Sequence, residues 1–138
     1  MSWGCADVSL IPDEYRDLFK KPAFGHLATV MADGSPQITP VWVDYDGEHV
    51  LVNSKLGRVK NANMAQRSAV AIEISDPDNP YRYLSIRGHV VAVVEENAAA
   101  HLEQLSQRYL QKPYPWWSEG EVRQIFKILP ERVVARVI

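Results

Sequence analysis

Short apolar and β-branched runs separated by turn residues make up most of the chain, and helical spacing interrupts them three times. Residues 1–9 show no period and read as a loose arm. "IPDEYRDLFKK" then predicts a short helix: Pro12 suits the first helical position, and Asp13 and Glu14 suit the positive N-terminal end. Leu18 and Phe19 should pack inward, and Pro22 limits continuation. "AFGHLATVM", "QITPVWVDY" and "HVLVN" follow as strands, joined by two Asp-Gly turns of the kind hairpins favour, which predicts a three-stranded meander. Pro40 cannot donate to a ladder, so its strand lies at an edge or bulges there.

"GRVKNANMAQR" breaks the pattern as a helix of two to three turns, and "SAVAIEISD" returns to strand. "YRYLSIRGHVVAVVE" is a long strand whose Gly88 predicts a bulge or a close backbone approach. "ENAAAHLEQLSQRYL" has the clearest helical stripe, formed by Leu102, Leu105, Tyr109 and Leu110. "QKPYPWWSEGE" is a loop, and "VRQIFKIL" and "RVVARVI" read as two final strands split by "PE". About seven strands and three short helices predict a mostly-β α+β barrel. Closure, with pairing of two chains, is the usual way to remove its edges.

At 138 residues the chain suggests one domain, 1–138, and 46% hydrophobic residues suffice for a core of that size. A net charge of -2 argues against a general nucleic-acid binder. Cys5 alone gives neither a disulfide framework nor a thiolate cluster, and His26, His49, His89 and His101 show no metal-ligand spacing. No apolar run is long enough to span a membrane, and the N-terminus lacks the charge pattern of a signal peptide. The expectation is a soluble cytoplasmic protein without a metal. No nucleophile elbow, P-loop or dinucleotide glycine motif is present.

Two stretches carry candidate chemistry. Lys55, Arg58, Lys60 and Arg67 cluster around the start of the first well-formed helix, where free backbone N–H groups already suit an anion. Ser54 would add a hydroxyl donor; the plain alternative is a solvated helix face. In "PQITPVWV", alternation puts Gln37, Thr39 and Val41 on one face and Ile38, Pro40 and Trp42 on the other. The carbonyls left free by Pro40 would suit the polar edge of a flat heterocycle, and the alternative is a bulge over a core tryptophan.

Three segments carry a resemblance: "FGHLATVMADGSPQITPVWVDYDGEHVLVNS", "GRVKNANM" and "NPYRYLSIRGHVV". Together they resemble the pyridoxamine 5'-phosphate oxidase-like, flavin-binding split-barrel superfamily, and within it the branch of deazaflavin (F420)-dependent reductases. The resemblance implies a Greek-key-like split barrel of six to seven antiparallel strands that dimerises and holds its cofactor in a groove between two chains. It implies that Lys60 holds the phosphate of the cofactor tail, with Asn63 and Met64 in the remaining motif positions and Arg58 and Ser54 as helpers. Asn53 and Val59 flank the same turn. Gln37, Thr39, Pro40, Val41 and Trp42 would meet the ring, and second-chain residues from "YRY" or "YPWW" would close the groove. The implied activity is hydride transfer to or from a small organic substrate on F420, with FMN as the alternative cofactor. A non-catalytic flavin carrier or sensor is a second class, and a barrel that has lost its cofactor a third. No indispensable catalytic side chain is expected. Solvent, Tyr83, Tyr109 or Tyr114 would donate the proton, and Lys55 and Arg82 are candidates for the longer anionic tail of F420. The chain lacks the C-terminal extension of the vitamin B6 oxidases, which argues against that reaction.

Overall fold

The computed structural model describes residues 10–138, so the expected arm at 1–9, with Trp3 and Cys5, lies outside the described residues. A 3-10 helix, Asp13–Phe19, opens the fold with Leu18 and Phe19 buried as their spacing predicts. Seven strands follow: β1 Gly25–Val30, β2 Pro36–Val41, β3 Val43–Tyr45, β4 Val50–Lys55, β5 Ala69–Ser75, β6 Arg82–Val94 and β7 Arg123–Val137. Helix α1, Val59–Gln66, joins β4 to β5, and α2, Ala98–Leu110, joins β6 to β7. The sheet is antiparallel throughout, in the order β2-β1-β5-β6-β7-β4-β3.

That order corrects the predicted meander. Both Asp-Gly hairpins form, but "QITPVWVDY" is two strands that lie at opposite edges of the sheet. Only Trp42 separates β2 from β3. One residue spans at most about 7 Å between its neighbours' Cα atoms, so the two edges must curl round until they nearly touch. The result is a split barrel with its seam at Trp42. Gly25 shows how tight the seam is: a Cβ there would meet Val43 Cγ1 at 2.7 Å and Ile72 Cδ1 at 2.9 Å. Pro40 sits in an edge strand as its missing N–H demands, opposite His26.

The two expected C-terminal strands are one. β7 runs unbroken from Arg123 to Val137 because Glu131 is accommodated as a bulge opposite the Arg87/Gly88 step. Gly88 is required there: its Cβ would lie 2.1 Å from the Leu129 carbonyl oxygen. Strand alternation fills the barrel with Leu27, Val43, Val50, Val52, Ile72, Ile74, Leu84, Ile86, Phe126 and Ile128, all nearly inaccessible to solvent. Each such side chain contributes roughly 1.5–3 kcal/mol of apolar burial. α2 turns Leu102, Leu105 and Tyr109 inward as its stripe predicts, with Leu110 only half-buried. No helix among the described residues is long and apolar enough to cross a membrane.

Candidate functional site

The four basic residues at the end of β4 and around α1 divide their work. Arg67 is structural: its Nε donates to the Val30 carbonyl at 2.6 Å and its Nη2 to Asn63 Oδ1 at 3.2 Å, tying α1 to β1. Lys55 donates to Ser118 Oγ at 3.0 Å. Arg58, at the N-cap of α1, and Lys60, in its first turn, both face a cleft of about 160 Å³. Its walls are Phe24, Pro40, Val41 and Trp42 from the seam, Asn53 from β4, and Leu102, Tyr114, Trp116 and Arg123.

Lys60 is only 7% exposed, and its ammonium donates to Thr39 Oγ1 at 3.2 Å. Among the described residues it forms no ion pair, and two of its three N–H donors lack a protein partner. Burial depresses its pKa, and repulsion from Arg58 and then Arg123 lowers it further. A charge buried against like charges is costly unless something anionic compensates. Arg123, itself buried, is ion-paired to Glu121 at 2.7 Å and hydrogen-bonded through Nε to Asn53 Oδ1 at 2.9 Å. Burial works against the Glu121 carboxylate, but Ser118 and Arg123 hold its pKa below the usual range. Against this one carboxylate stand three cations, so the cleft carries a positive excess.

The aromatic wall is layered. Trp42 stacks on Tyr109 with centroids 5.0 Å apart, and Tyr114 meets Trp42 edge-on at 6.1 Å. Glu103 fixes the loop that supplies Tyr114 and Trp116, accepting from the Tyr114 backbone N–H at 2.9 Å and Trp117 Nε1 at 2.7 Å.

Of the residues picked from sequence, Pro40, Val41, Trp42, Asn53, Arg58 and Lys60 therefore meet in one cleft. Thr39 reaches it through Lys60. Val59 is half-exposed on the first turn of α1 and does not line it. Ser54 and Asn63 are buried in networks that seat the helix. Ser54 donates to Asn61 at 2.6 Å, while Asn63 donates to Thr29 at 3.0 Å and Thr29 to Gln37 at 3.1 Å. Arg82 is not free for a ligand tail: Asp17 holds it at 2.7 Å and Asp76 at 2.9 Å. Of the three candidate tyrosines only Tyr114 lines the cleft. The "YPWW" loop contributes Tyr114 and Trp116 to the cleft of its own chain. Sequence reasoning missed Phe24, Leu102 and Arg123. Arg123 opens a strand 63 residues after Lys60, and only the β4–β7 pairing, with Lys55 opposite Arg123, brings it near.

The fold is thus a seamed antiparallel barrel with a cationic, aromatic-walled cleft at its seam, an arrangement whose charge and flat walls would suit a flat, anionic group. The chain belongs to the pyridoxamine 5'-phosphate oxidase family, whose model matches residues 11–136. It is similar to a solved F420 reductase, with 36% identity, a TM-score of 0.79, and coverage of 90% of this chain and 98% of that one. The conserved hypothetical protein Rv2991 of Mycobacterium tuberculosis shares the fold at 23% identity and a TM-score of 0.72, covering 96% of this chain and 88% of that chain. HupZ of Group A Streptococcus does so at 19% identity and 0.66, covering 91% and 94%. No curated protein matches the chain. The superfamily resemblance read from "TPVW", "GRVKNANM" and "NPYRYL" thus holds, F420 reductase branch included, and places the chain in a flavin- and deazaflavin-binding family.

Proposed function

We propose that this chain is a homodimeric cytoplasmic oxidoreductase that binds F420 in the cleft and transfers a hydride to or from a small organic substrate. The observation that carries the reading is Lys60: a buried ammonium in a cleft shared with Arg58 and Arg123, with two donors that lack a partner among the described residues. That arrangement suits a phosphate, which would satisfy the donors and offset the repulsion. Identity of 36% to an F420 reductase supports the choice of cofactor.

When bound, the deazaflavin ring supplies the hydride chemistry. The chain's own residues bind, orient and enclose. Lys60 and Arg58 would hold the phosphate, and Pro40, Val41 and Trp42 would form a flat wall for the ring. Tyr114 and Trp116 would exclude water, and solvent or the Tyr114 hydroxyl would supply a proton. Holding two reactants in register supplies much of the rate in such sites. A cleft of about 160 Å³ is small beside the roughly 300–1,000 Å³ of ordinary cofactor sites. A second copy would supply the rest of the groove, and the exposed valines at 91, 93, 134 and 137 provide apolar surface for pairing.

FMN is the second reading. It has the phosphate and a similar ring, and the engagement of Arg82 and Lys55 within the protein removes two groups that a longer anionic tail would use. The test is to titrate the purified protein with each oxidised cofactor and follow quenching of Trp42 and Trp116. F420 should quench at lower concentration than FMN. Tight FMN binding with no response to F420 would replace the first reading by the second. Binding without turnover of quinone, nitro and enone acceptors would make the protein a carrier.

A further inference from the structure

Behind the cleft runs a chain of hydrogen bonds that the binding function does not by itself require. Arg123 Nε donates to Asn53 Oδ1 at 2.9 Å. Asn53 Nδ2 faces the Ala98 carbonyl at 2.8 Å and His101 Nδ1 at 3.1 Å. His101 Nε2 faces Asp44 Oδ2 at 3.0 Å, and the other Asp44 oxygen accepts from Arg108 at 3.2 Å. The chain joins β3, α2, β4 and β7, and His101 is 8% exposed.

The direction of every bond follows from one fact: arginine can only donate. Arg123 therefore fixes the Asn53 oxygen toward itself. The Asn53 amide nitrogen must then face α2, where the Ala98 carbonyl can only accept. That nitrogen also donates to His101, so Nδ1 of His101 must be the bare, accepting nitrogen. The proton sits on Nε2 and goes to Asp44. We infer that His101, in its Nε2-protonated tautomer, is a positioning residue for the cleft: through Asn53 it sets where the Arg123 guanidinium stands.

The consequence falls on the anion. Asn53 and Arg123 both line the cleft, and Arg123 has five N–H groups, of which Asn53 and Glu121 take up to three. If His101 cannot accept from Asn53, the Ala98 carbonyl alone holds the amide on α2 and its second N–H is stranded. An amide held at one point instead of two swings about it, and the oxygen that anchors Nε of Arg123 shifts with it. This inference rests on the reading of the cleft as an anionic-cofactor site, so its test separates the two.

Two variants differ in one property. Glutamine at 101 can accept from Asn53 and donate to Asp44, as the tautomer does; leucine can do neither. His101→Gln should keep the wild-type dissociation constants for F420 and FMN within about two-fold. His101→Leu should raise both roughly ten-fold or more, the loss expected when a charged hydrogen-bonding group is misplaced. Wild-type affinity in His101→Leu would overturn the inference while leaving the cleft reading intact. Wild-type protein that binds neither cofactor would sink the cleft reading alone, because the tautomer is read independently. Long-range ¹H–¹⁵N spectra of the ¹⁵N-labelled protein, with His101 assigned by the glutamine variant, should show Nδ1 bare and Nε2 protonated. A protonated Nδ1 would overturn the inference. Should His101→Leu fail to fold, Asn53→Asp serves: it keeps an acceptor for Arg123 but offers His101 only oxygen. A proton should then appear on Nδ1, and its absence would refute the bond directions.

Discussion

The hydroxyl of Tyr109 accepts the backbone N–H of Val43 at 3.0 Å and donates to the Ala23 carbonyl at 2.7 Å, bridging the edge strand β3 to the segment that leads into β1. No strand ladder spans this gap, because β3 is an edge strand and Ala23 precedes β1. Tyr109→Phe should therefore cost about 1–3 kcal/mol, the usual penalty for stranding buried partners. Thermal unfolding should show a fall in Tm of roughly 3–10 °C. An unchanged Tm would mean that water replaces the hydroxyl without loss.

The same burial pushes the Tyr109 phenol up to about 12, well above its ordinary value near 10. Below pH 10 the phenol is protonated in both states and contributes no slope. Between about pH 10 and 12 the unfolded chain releases the proton and the folded chain keeps it, so stability falls as pH rises. Urea unfolding across that window should show the fall in the wild type and a shallower one in Tyr109→Phe.

Much of this was legible from residue order, and the failures share one cause. Alternation and Asp-Gly turns located the strands, and the α2 stripe found Leu102, Leu105 and Tyr109. A closed barrel was expected, but the position of its seam was not legible, because "TPVWVD" has the same local pattern whether it continues one strand or crosses a seam. The "PE" break in β7 looked like an end since proline usually marks one, yet a bulge opposite Gly88 absorbs it. At the site, Lys60 and Trp42 announced themselves by type and spacing. Arg123 and the His101 relay did not, since their partners are 70 and 48 residues distant and are set by β4–β7 pairing and α2 docking.

Asp76 anchors the 3-10 helix to the start of β6. Its carboxylate accepts from Lys21 at 3.0 Å and Arg82 at 2.9 Å, and from the Asp78 N–H at 2.9 Å. Burial opposes ionisation, but these three donors overcome it and bring the pKa to about 2. A lowered pKa contributes stability that is present above the unfolded value near 4 and is lost as pH falls toward 2. Asp76→Asn should be less stable at pH 6 and lose stability less steeply between pH 4 and 2. An acid slope equal to wild type would assign it to other carboxylates, such as Asp17 and Glu121, whose pKa values are also lowered.

A homodimer should form through the exposed apolar faces, since obligate interfaces often exceed roughly 2,000 Å². Light scattering at low micromolar concentration should give twice the 15.6 kDa chain mass. A clean monomer that still binds flavin tightly would contradict a shared groove.

Lys60 and Lys55 differ in surroundings more than in sequence position, and that difference makes the sharpest prediction. Lys55 is half-buried with a neutral partner, Ser118, on the outer loop. Lys60 is buried among cations at the cleft. Removing Lys60 should cost cofactor affinity, about 1.5–3 kcal/mol for a charge-assisted contact to phosphate, or a ten- to hundred-fold rise in dissociation constant. Lys55→Ala should change affinity little. Without cofactor the order reverses. A buried ammonium facing Arg58 and Arg123 opposes folding, so Lys60→Met, which keeps the apolar stem and drops the charge, should leave Tm unchanged or raise it. Weaker binding together with undiminished stability is the signature of a residue kept for its ligand. A Lys60→Met protein that is less stable, with affinity equal to Lys55→Ala, would return the basic cluster to an ordinary helix face.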